Sequence, residues 1–216
     1  MVSNILIRRA LSQLDELEGV RRLRSGVLLL ILIPVIILIL ALVGAAAIYA
    51  AVVSAPVSSY SGSSLVGGVT VLLVVLSLIS LVLTVMAFGR LSRGFSLLSA
   101  AGRGGSIGAA GTWLVITAII IALLGVALFM FGGFIAMWIA FVLAVVGFIL
   151  IGVGLFEVGS SYRNSLLEAG GILVAIPLLI TSFVGLILSY AALGDIEREL
   201  QAKASQAGAQ QATTTS

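Results

Sequence analysis

The sequence predicts an all-α protein, a polytopic transmembrane helical bundle of about five spans with an amphipathic N-terminal cytoplasmic helix. Hydrophobic residues make up 61% of the chain and charged residues only 9%, with a mean hydropathy of +1.32. A soluble domain normally carries about 25% charged residues, because water must wet its surface. Five long apolar stretches recur along the chain, separated by polar or arginine-bearing segments or by a glycine pair. Lipid is therefore expected to cover much of the surface.

Residues 1–25 are predicted to form an amphipathic cytoplasmic segment. Apolar side chains recur at helical spacing at Ile7, Leu11, Leu14 and Leu17, and arginines occupy much of the remaining surface. One interpretation is an interfacial helix that lies on anionic lipid headgroups. The other is a solvated helix that packs on the protein's own cytoplasmic loops. The sequence leaves both interpretations open.

A transmembrane domain is predicted over residues 26–193, followed by a polar tail over residues 194–216. A helix of about 20 apolar residues crosses the hydrocarbon core, and five stretches reach that length. The predicted spans are 26–53, 67–89, 112–131, 134–156 and 171–193. Pro34 in the first span removes a backbone donor, so a bend is expected there, and Pro177 lies inside the fifth. The tail opens with a short helix candidate and is otherwise expected to be largely disordered.

Arginine placement predicts the orientation of these spans. The N-terminal segment holds five arginines and the 90–111 loop three, whereas the 54–66 loop and the 132–133 turn hold none. Because cytoplasmic loops are enriched in Arg and Lys, the N-terminus, the 90–111 loop and the 157–170 loop are predicted to be cytoplasmic. Five spans then place the C-terminus outside. The expected location is the cell membrane, as a multi-pass protein.

Several classes of function are disfavoured by residue types that are missing. The chain has no cysteine and no histidine, which removes disulfides, iron–sulfur clusters, histidine-ligated haem and the usual zinc sites. No Asp, Glu, Lys or Arg lies inside a predicted span, which argues against a proton-driven pump. A net charge of +3 is too small to suggest a nucleic-acid partner. We therefore predict no catalytic, cofactor-binding or metal-binding residues, no cofactor and no enzymatic activity.

Two polar features near the predicted inner boundary have simple interpretations. The glycine cluster at residues 102–108 lacks the GxGxxG spacing and the preceding strand of a dinucleotide site, so it is interpreted as a flexible linker. Glu157, Arg163 and Glu168 are interpreted as interfacial charges, two of which could pair, in preference to a catalytic group.

A hydroxyl stripe is the feature most suggestive of chemistry. Thr70, Ser77 and Thr84 recur at seven-residue steps in the second span, with Ser80 close by, and share one helix face. The stripe could line a path for a small uncharged solute, or its hydroxyls could stabilise helix packing. In the packing interpretation, the expected partners in the fifth span are Thr181, Ser182 and Ser189.

Small residues and a short repeat bear on packing. Small side chains at four-residue spacing let helices approach closely, within the chain or between copies. They occur at Ala46 and Ala50, Ala47 and Ala51, and Ala140 and Ala144, with Gly147 following. The motif SLLxA occurs at residues 96–100 and 165–169. It could mark a duplicated hairpin, in which spans two and three match spans four and five, or a coincidence in a Leu/Ala/Ser-rich chain.

The chain also resembles a known family. The segments that carry the likeness are LxELxGVRRLRSGVLLLI from Leu14, GFSLLSAAG, GAAGTWLVITAIIIALLG and GSSYRNSLLEAGGILVAIPLL, and the best local marker is the stretch from Tyr162 to Gly171. They resemble an archaeal group of multi-pass membrane proteins known as domain of unknown function 973, over roughly residues 14–193. The resemblance implies an archaeal plasma membrane and brings no activity and no site residues.

Two functional hypotheses follow. The first is a non-enzymatic structural, assembly or accessory membrane protein, whose partners would be membrane lipids and either further copies of itself or a membrane complex. The second is a passive permease or channel for a small neutral solute or a lipid, which rests on the hydroxyl stripe.

Overall fold

The structure, a computed structural model, describes residues 2–54, 62–128, 133–176 and 178–214. Almost all of these residues lie in six α-helices. The helices are α1 (Val2–Ser54), α2 (Gly62–Ala100), α3 (Ser106–Ala127), α4 (Gly133–Tyr162), α5 (Ser165–Ala175) and α6 (Leu179–Thr214). Within the described residues, α1 to α4 and α6 each hold a segment long and apolar enough to cross a membrane. The predicted all-α bundle is confirmed, and five of its helices are long and apolar enough to cross a membrane.

The N-terminal segment and the first span form one continuous helix, α1, which runs on through Pro34. Leu14 is 63% exposed, whereas Val20 and Leu23 are fully buried. The burial arises because Gly94 of α2 comes so close that a Cβ atom built on it would lie 2.8 Å from the backbone nitrogen of Leu23. This contact packs the end of the segment, around Leu23, on the protein itself, whereas Leu14 of the apolar face stays exposed. The side chains of Ile7 and Leu11 lie outside the described part.

The expected loop at 90–111 is mostly helical, because α2 continues to Ala100 and α3 begins at Ser106. The glycine cluster forms a tight turn between them. The backbone nitrogen of Arg103 donates to the carbonyl of Leu98 at 2.9 Å, and Gly104 and Gly105 have φ angles of 79° and 93°. Residues that carry a side chain rarely adopt such positive φ angles, so glycine is required to reverse the chain over so few residues. The cluster is a defined turn and not the flexible linker expected.

The small residues of α4 are used inside the chain. A Cβ atom built on Gly111 of α3 would lie 2.7 Å from the carbonyl oxygen of Gly147, and Ala140 is buried. Of the two possibilities for this face, contact within the chain is the one observed. For the α1 pairs the question stays open, because the side chains of residues 47, 50 and 51 lie outside the described part.

The predicted fifth span is divided between two antiparallel helices. α5 ends at Ala175 and α6 begins at Leu179, while Pro177 lies outside the described residues. A Cβ atom on Gly170 would lie 2.5 Å from the Ser189 hydroxyl, and one on Gly185 would lie 2.7 Å from the backbone nitrogen of Val174. Gly170 thus faces Ser189, and the later residue Val174 faces the earlier residue Gly185, as in an antiparallel pair. α5 and α6 form a helical hairpin.

The hairpin reaches only part of the way along the bundle. A Cβ atom on Gly159 of α4 would lie 2.7 Å from the backbone nitrogen of Glu168, and one on Gly152 would lie 2.5 Å from that of Ala175. The tip of the hairpin is thus level with Gly152. At 1.5 Å per residue, α4 extends about 28 Å beyond this level to Gly133.

The hairpin returns the chain to the end of the bundle where it started. Glu197 of α6 pairs with Arg24 of α1 at 2.9 Å. We call this end, which carries Glu16, Arg24, Arg103 and Glu197, the charged end, and the opposite end the far end. The segments of α1 and α6 that carry Arg24 and Glu197 therefore lie at the same end of the bundle.

The tail also differs from expectation, since α6 continues through Thr214 where a largely disordered segment was predicted. Ala, Gln, Glu and Lys are strong helix formers. Extending a helix that packing has already formed avoids the cost of nucleation.

The packed core lies toward the charged end. Its fully buried members include Val20, Leu23, Leu91, Phe95, Leu98, Leu155, Val158, Leu167 and Leu193. Toward the far end the helices present apolar side chains outward: Leu38 and Leu42 of α1 are 61% and 62% exposed, and Ile135 of α4 is 69% exposed. Such side chains need lipid or protein to cover them.

The SLLxA motifs occupy different positions in the fold. Residues 96–100 end α2, before its turn, whereas residues 165–169 begin α5, after its turn. The hairpins they were proposed to mark also differ, because α3 has 22 residues and α5 has 11.

Candidate functional site

The first polar cluster joins α1, the glycine turn and the end of α4 at the charged end. Glu16 is only 7% exposed. One of its carboxylate oxygens accepts hydrogen bonds from the guanidinium of Arg103 at 2.8 Å and from the hydroxyl of Tyr162 at 2.7 Å. The same guanidinium lies over the Tyr162 ring, 5.2 Å from its centroid. We call Glu16, Arg103 and Tyr162 the Glu16 cluster.

Local backbone structure holds this cluster in place. The turn that presents Arg103 is tied to α4 by a hydrogen bond from the backbone nitrogen of Gly105 to the carboxylate of Glu157, at 2.9 Å. Beyond Tyr162, Arg163 has a φ of 52°, and the Asn164 side chain caps α5 by accepting from the backbone nitrogen of Leu167 at 3.0 Å. A side-chain cap of this kind fixes where a helix begins.

The second cluster joins α1 to α6. Arg24 pairs with Glu197 at 2.9 Å and donates to the Tyr190 hydroxyl at 3.4 Å, with its guanidinium 4.7 Å from the centre of the Tyr190 ring. Glu197 is 8% exposed. Residues 190, 194 and 197 share one face of α6, and Gly194 leaves room for the guanidinium to lie against the helix. We call Arg24, Tyr190 and Glu197 the Arg24 cluster.

The two clusters contain the same three side-chain types, with α1 supplying the acid to one and the base to the other. Each contains one positive and one negative charge, so neither leaves a net charge in its partly buried setting. An arginine can bond a carboxylate and stack on an aromatic ring at the same time. The arrangement fastens α1 to its neighbours at two levels, about 12 Å apart along the helix.

The sequence pattern did not single out these clusters, because the N-terminal arginines were interpreted as one group, by the enrichment of Arg and Lys on the cytoplasmic side and by attraction to lipid headgroups. A signal was present, however. Glu16, Arg24 and Tyr162 all lie within the segments that carry the family resemblance, whereas Arg103, Tyr190 and Glu197 do not. The missing information was which loop and which distant helix would face α1.

The interfacial charges have separate surroundings. Glu157 accepts from the turn as described, and Glu168 packs beside Gly159. Within the described residues, no ion pair joins Glu157, Arg163 or Glu168 to any other side chain. The described residues also contain no group of three or more acidic side chains placed to hold a metal ion.

The hydroxyl stripe borders an apolar cavity of about 770 Å³ between α1, α2 and α3. The lining includes Ile33, Ile37, Ala41, Ser77, Ser80, Thr84, Ile119 and Leu123. The Thr84 hydroxyl donates to the carbonyl of Ser80 at 2.7 Å, within its own helix. The side chain of Thr70 lies outside the described part.

The hydroxyls of the fifth predicted span lie at and near the α5–α6 hairpin. Ser182 donates to the carbonyl of Ile176 at 2.8 Å and Thr181 to that of Leu178 at 2.9 Å, both at the hairpin turn. Ser189 lies against Gly170 of α5. Among the described side chains, the hydroxyls of Thr181 and Ser182 thus bond the backbone of the hairpin turn instead of the stripe.

The chain was compared with known protein families, curated proteins and solved structures. A family model described as a protein of unknown function (DUF973) matches residues 16–216, which begins at Glu16 and covers both clusters and the cavity. No curated protein and no solved structure matches the chain.

Proposed function

This chain belongs to the DUF973 family of proteins of unknown function, and from that premise we propose that it is a non-enzymatic membrane protein with a structural, assembly or accessory role. One observation carries the proposal. The two buried carboxylates of the described part, Glu16 and Glu197, each pair with an arginine from another part of the chain and so fasten helices together.

Pairing of this kind favours a static role over a chemical one. Glu16 already accepts two hydrogen bonds, from a guanidinium and a tyrosine hydroxyl. A general base must instead reach a substrate proton. Removing one member of a buried charge pair typically costs about 3–5 kcal/mol, since the other charge is left uncompensated. Holding α1 against α4 and α6 is sufficient reason for both clusters.

We propose that the charged end faces the cytoplasm of a cell membrane and that both terminal segments lie on that side. Exposed arginines gather at this end: Arg21, Arg90, Arg93 and Arg163. Arginine-rich ends of short loops favour the cytoplasmic side. This arrangement keeps the orientation expected for the N-terminus and reverses the one expected for the C-terminus.

The partners we propose are membrane lipids together with a further copy of the chain or another membrane protein. The apolar side chains near the far end support this, because they are broadly exposed on α1, α2 and α4. Lipid alone can cover such an apolar surface. An accessory subunit would in addition place part of it against a partner helix.

The test is extraction of the protein from its membrane directly into polymer-bounded lipid discs, followed by native mass spectrometry. We expect a complex of fixed stoichiometry, either of several copies or with a second membrane protein. A strictly monomeric protein without any co-purifying partner would argue against the proposal.

A second candidate is a passive permease or channel for a small neutral solute or a lipid. The cavity bordered by Ser77, Ser80 and Thr84 favours it. Vesicles containing the purified protein test it, by stopped-flow glycerol uptake and by transfer of a fluorescent phospholipid between leaflets. Our proposal expects both rates to equal those of protein-free vesicles. A protein-dependent increase in either rate would favour the permease.

A further inference from the structure

We propose that the cavity between α1, α2 and α3 is a binding site for one hydrocarbon chain of a membrane lipid from the leaflet at the far end. The inference goes beyond the structural role proposed above and does not depend on it. It rests on the depth of the cavity, on its closed floor and on the chemistry of its lining.

The depth of the cavity follows from helix geometry. Arg90 of α2 is exposed at the charged end. Thr84 and Val74 bound the lining on the same helix and lie about 9 Å and about 24 Å from Arg90. A hydrocarbon core is about 30 Å thick. The cavity therefore lies mostly in the half of the bilayer away from the charged end.

The floor of the cavity is closed by the core. One turn below Thr84, Phe88 is 2% exposed and meets the ring of Phe148 edge to face, with centroids 6.0 Å apart. Below Ile33, Leu30 is 9% exposed. A partner's transmembrane helix needs an unobstructed path of about 30 Å. Such a helix is blocked here, whereas a chain that enters from the far end and stops at the floor fits.

The lining favours hydrocarbon over a polar ligand. Most of its side chains are Ile, Leu, Val or Ala, and its polar groups are three hydroxyls. The Thr84 hydroxyl is already bonded within α2. Lining residues are accessible from the lipid, since Ile37 is 46% exposed and Val74 is 54% exposed. A flexible apolar chain can therefore enter sideways and gains dispersion contacts with the isoleucines.

The test uses phosphatidylcholine vesicles that contain the protein and a phosphatidylcholine bearing a diazirine on one acyl chain. The diazirine is placed at the chain terminus in one probe and close to the glycerol in the other, and the attachment sites are mapped by mass spectrometry. We expect the terminal probe to attach near Ile33 and Thr84, and the glycerol-side probe near Ala41 and Val74.

Matched variants check that the cavity holds the chain. Ala41→Phe fills the cavity and should lower labelling of its lining several-fold, while Ala46→Phe, an exposed α1 position outside the lining, should leave labelling unchanged.

The expected difference in depth between the two probes is measured on the wild-type protein. The test therefore holds even if Ala41→Phe fails to fold. Labelling spread evenly over the exposed helix faces, a reversed depth order, or cross-links between two copies at these residues would overturn the proposal.

Discussion

At the scale of single residues, the two clusters account for how charges come to be buried in so apolar a chain. Glu16 and Glu197 are 7% and 8% exposed. Glu16 accepts from an arginine and a tyrosine, and Glu197 pairs with an arginine that in turn contacts a tyrosine. A buried carboxylate without partners would be strongly destabilising. The sequence indicates that the ends of the bundle are charged, but it does not indicate which charges pair, because the partners of Glu16 and Arg24 are far along the chain.

Glu16→Gln tests the first cluster. The amide keeps the shape of the side chain and removes its charge, so the charge-assisted bond from Arg103 is weakened. We expect the free energy of unfolding to fall by about 1.5–3 kcal/mol, measured by denaturant titration in mixed micelles. Glu18→Gln is the control, since Glu18 pairs with Arg22 on the exposed face of α1, and it should change the value by less than about 1 kcal/mol. Equal effects would remove the special role of Glu16.

Charge reversal tests the second cluster. Arg24→Glu and Glu197→Arg should each destabilise the fold by about 3 kcal/mol, because each places two like charges together in a partly buried site. The double variant should recover at least half of the combined loss. The same exchange at Glu18 and Arg22 should show little effect in any combination. Absence of recovery in the double variant would mean that Arg24 and Glu197 do not meet.

At the scale of elements, the sequence located the helices but not all of their directions. The first four predicted spans lie within α1 to α4, apart from Leu128, which caps α3, and residues 129–131, which the structure does not describe. Hydropathy reflects only the length and the composition of an apolar segment, and residues 171–193 are long and apolar enough to cross a membrane. It carries no information on whether the chain turns back. The contacts that reverse the chain are made by Gly170 and Gly185, and such contacts depend on the tertiary structure.

Gly171→Ala tests how the hairpin docks on α4. A Cβ atom at this position would lie 2.6 Å from the backbone nitrogen of Phe156, so α5 must move away. We expect a loss of about 1–3 kcal/mol in the free energy of unfolding. Gly89→Ala is the matched control, because a Cβ atom there meets nothing within 4 Å. It should leave the fold unchanged or slightly more stable, since alanine is the better helix former. The opposite ranking would contradict the docking.

At the scale of the whole molecule, the bundle is packed at one end and open at the other. α1 to α4 extend to the far end, while the hairpin of α5 and α6 stays near the charged end and returns the chain there. The two clusters, the core and the described parts of both terminal segments all lie toward that end, and the cavity lies beyond them. The arrangement of both terminal segments at the charged end depends on the hairpin of α5 and α6.

Cysteine labelling tests that topology most directly, and the absence of native cysteine makes every introduced thiol the only one. Gln13→Cys, Ser59→Cys and Ser205→Cys are made singly and treated with a membrane-impermeant maleimide in intact cells and in inverted vesicles. We expect residues 13 and 205 to react from the same side and residue 59 from the other. Reaction of residue 205 together with residue 59 would contradict the hairpin and restore a fifth crossing.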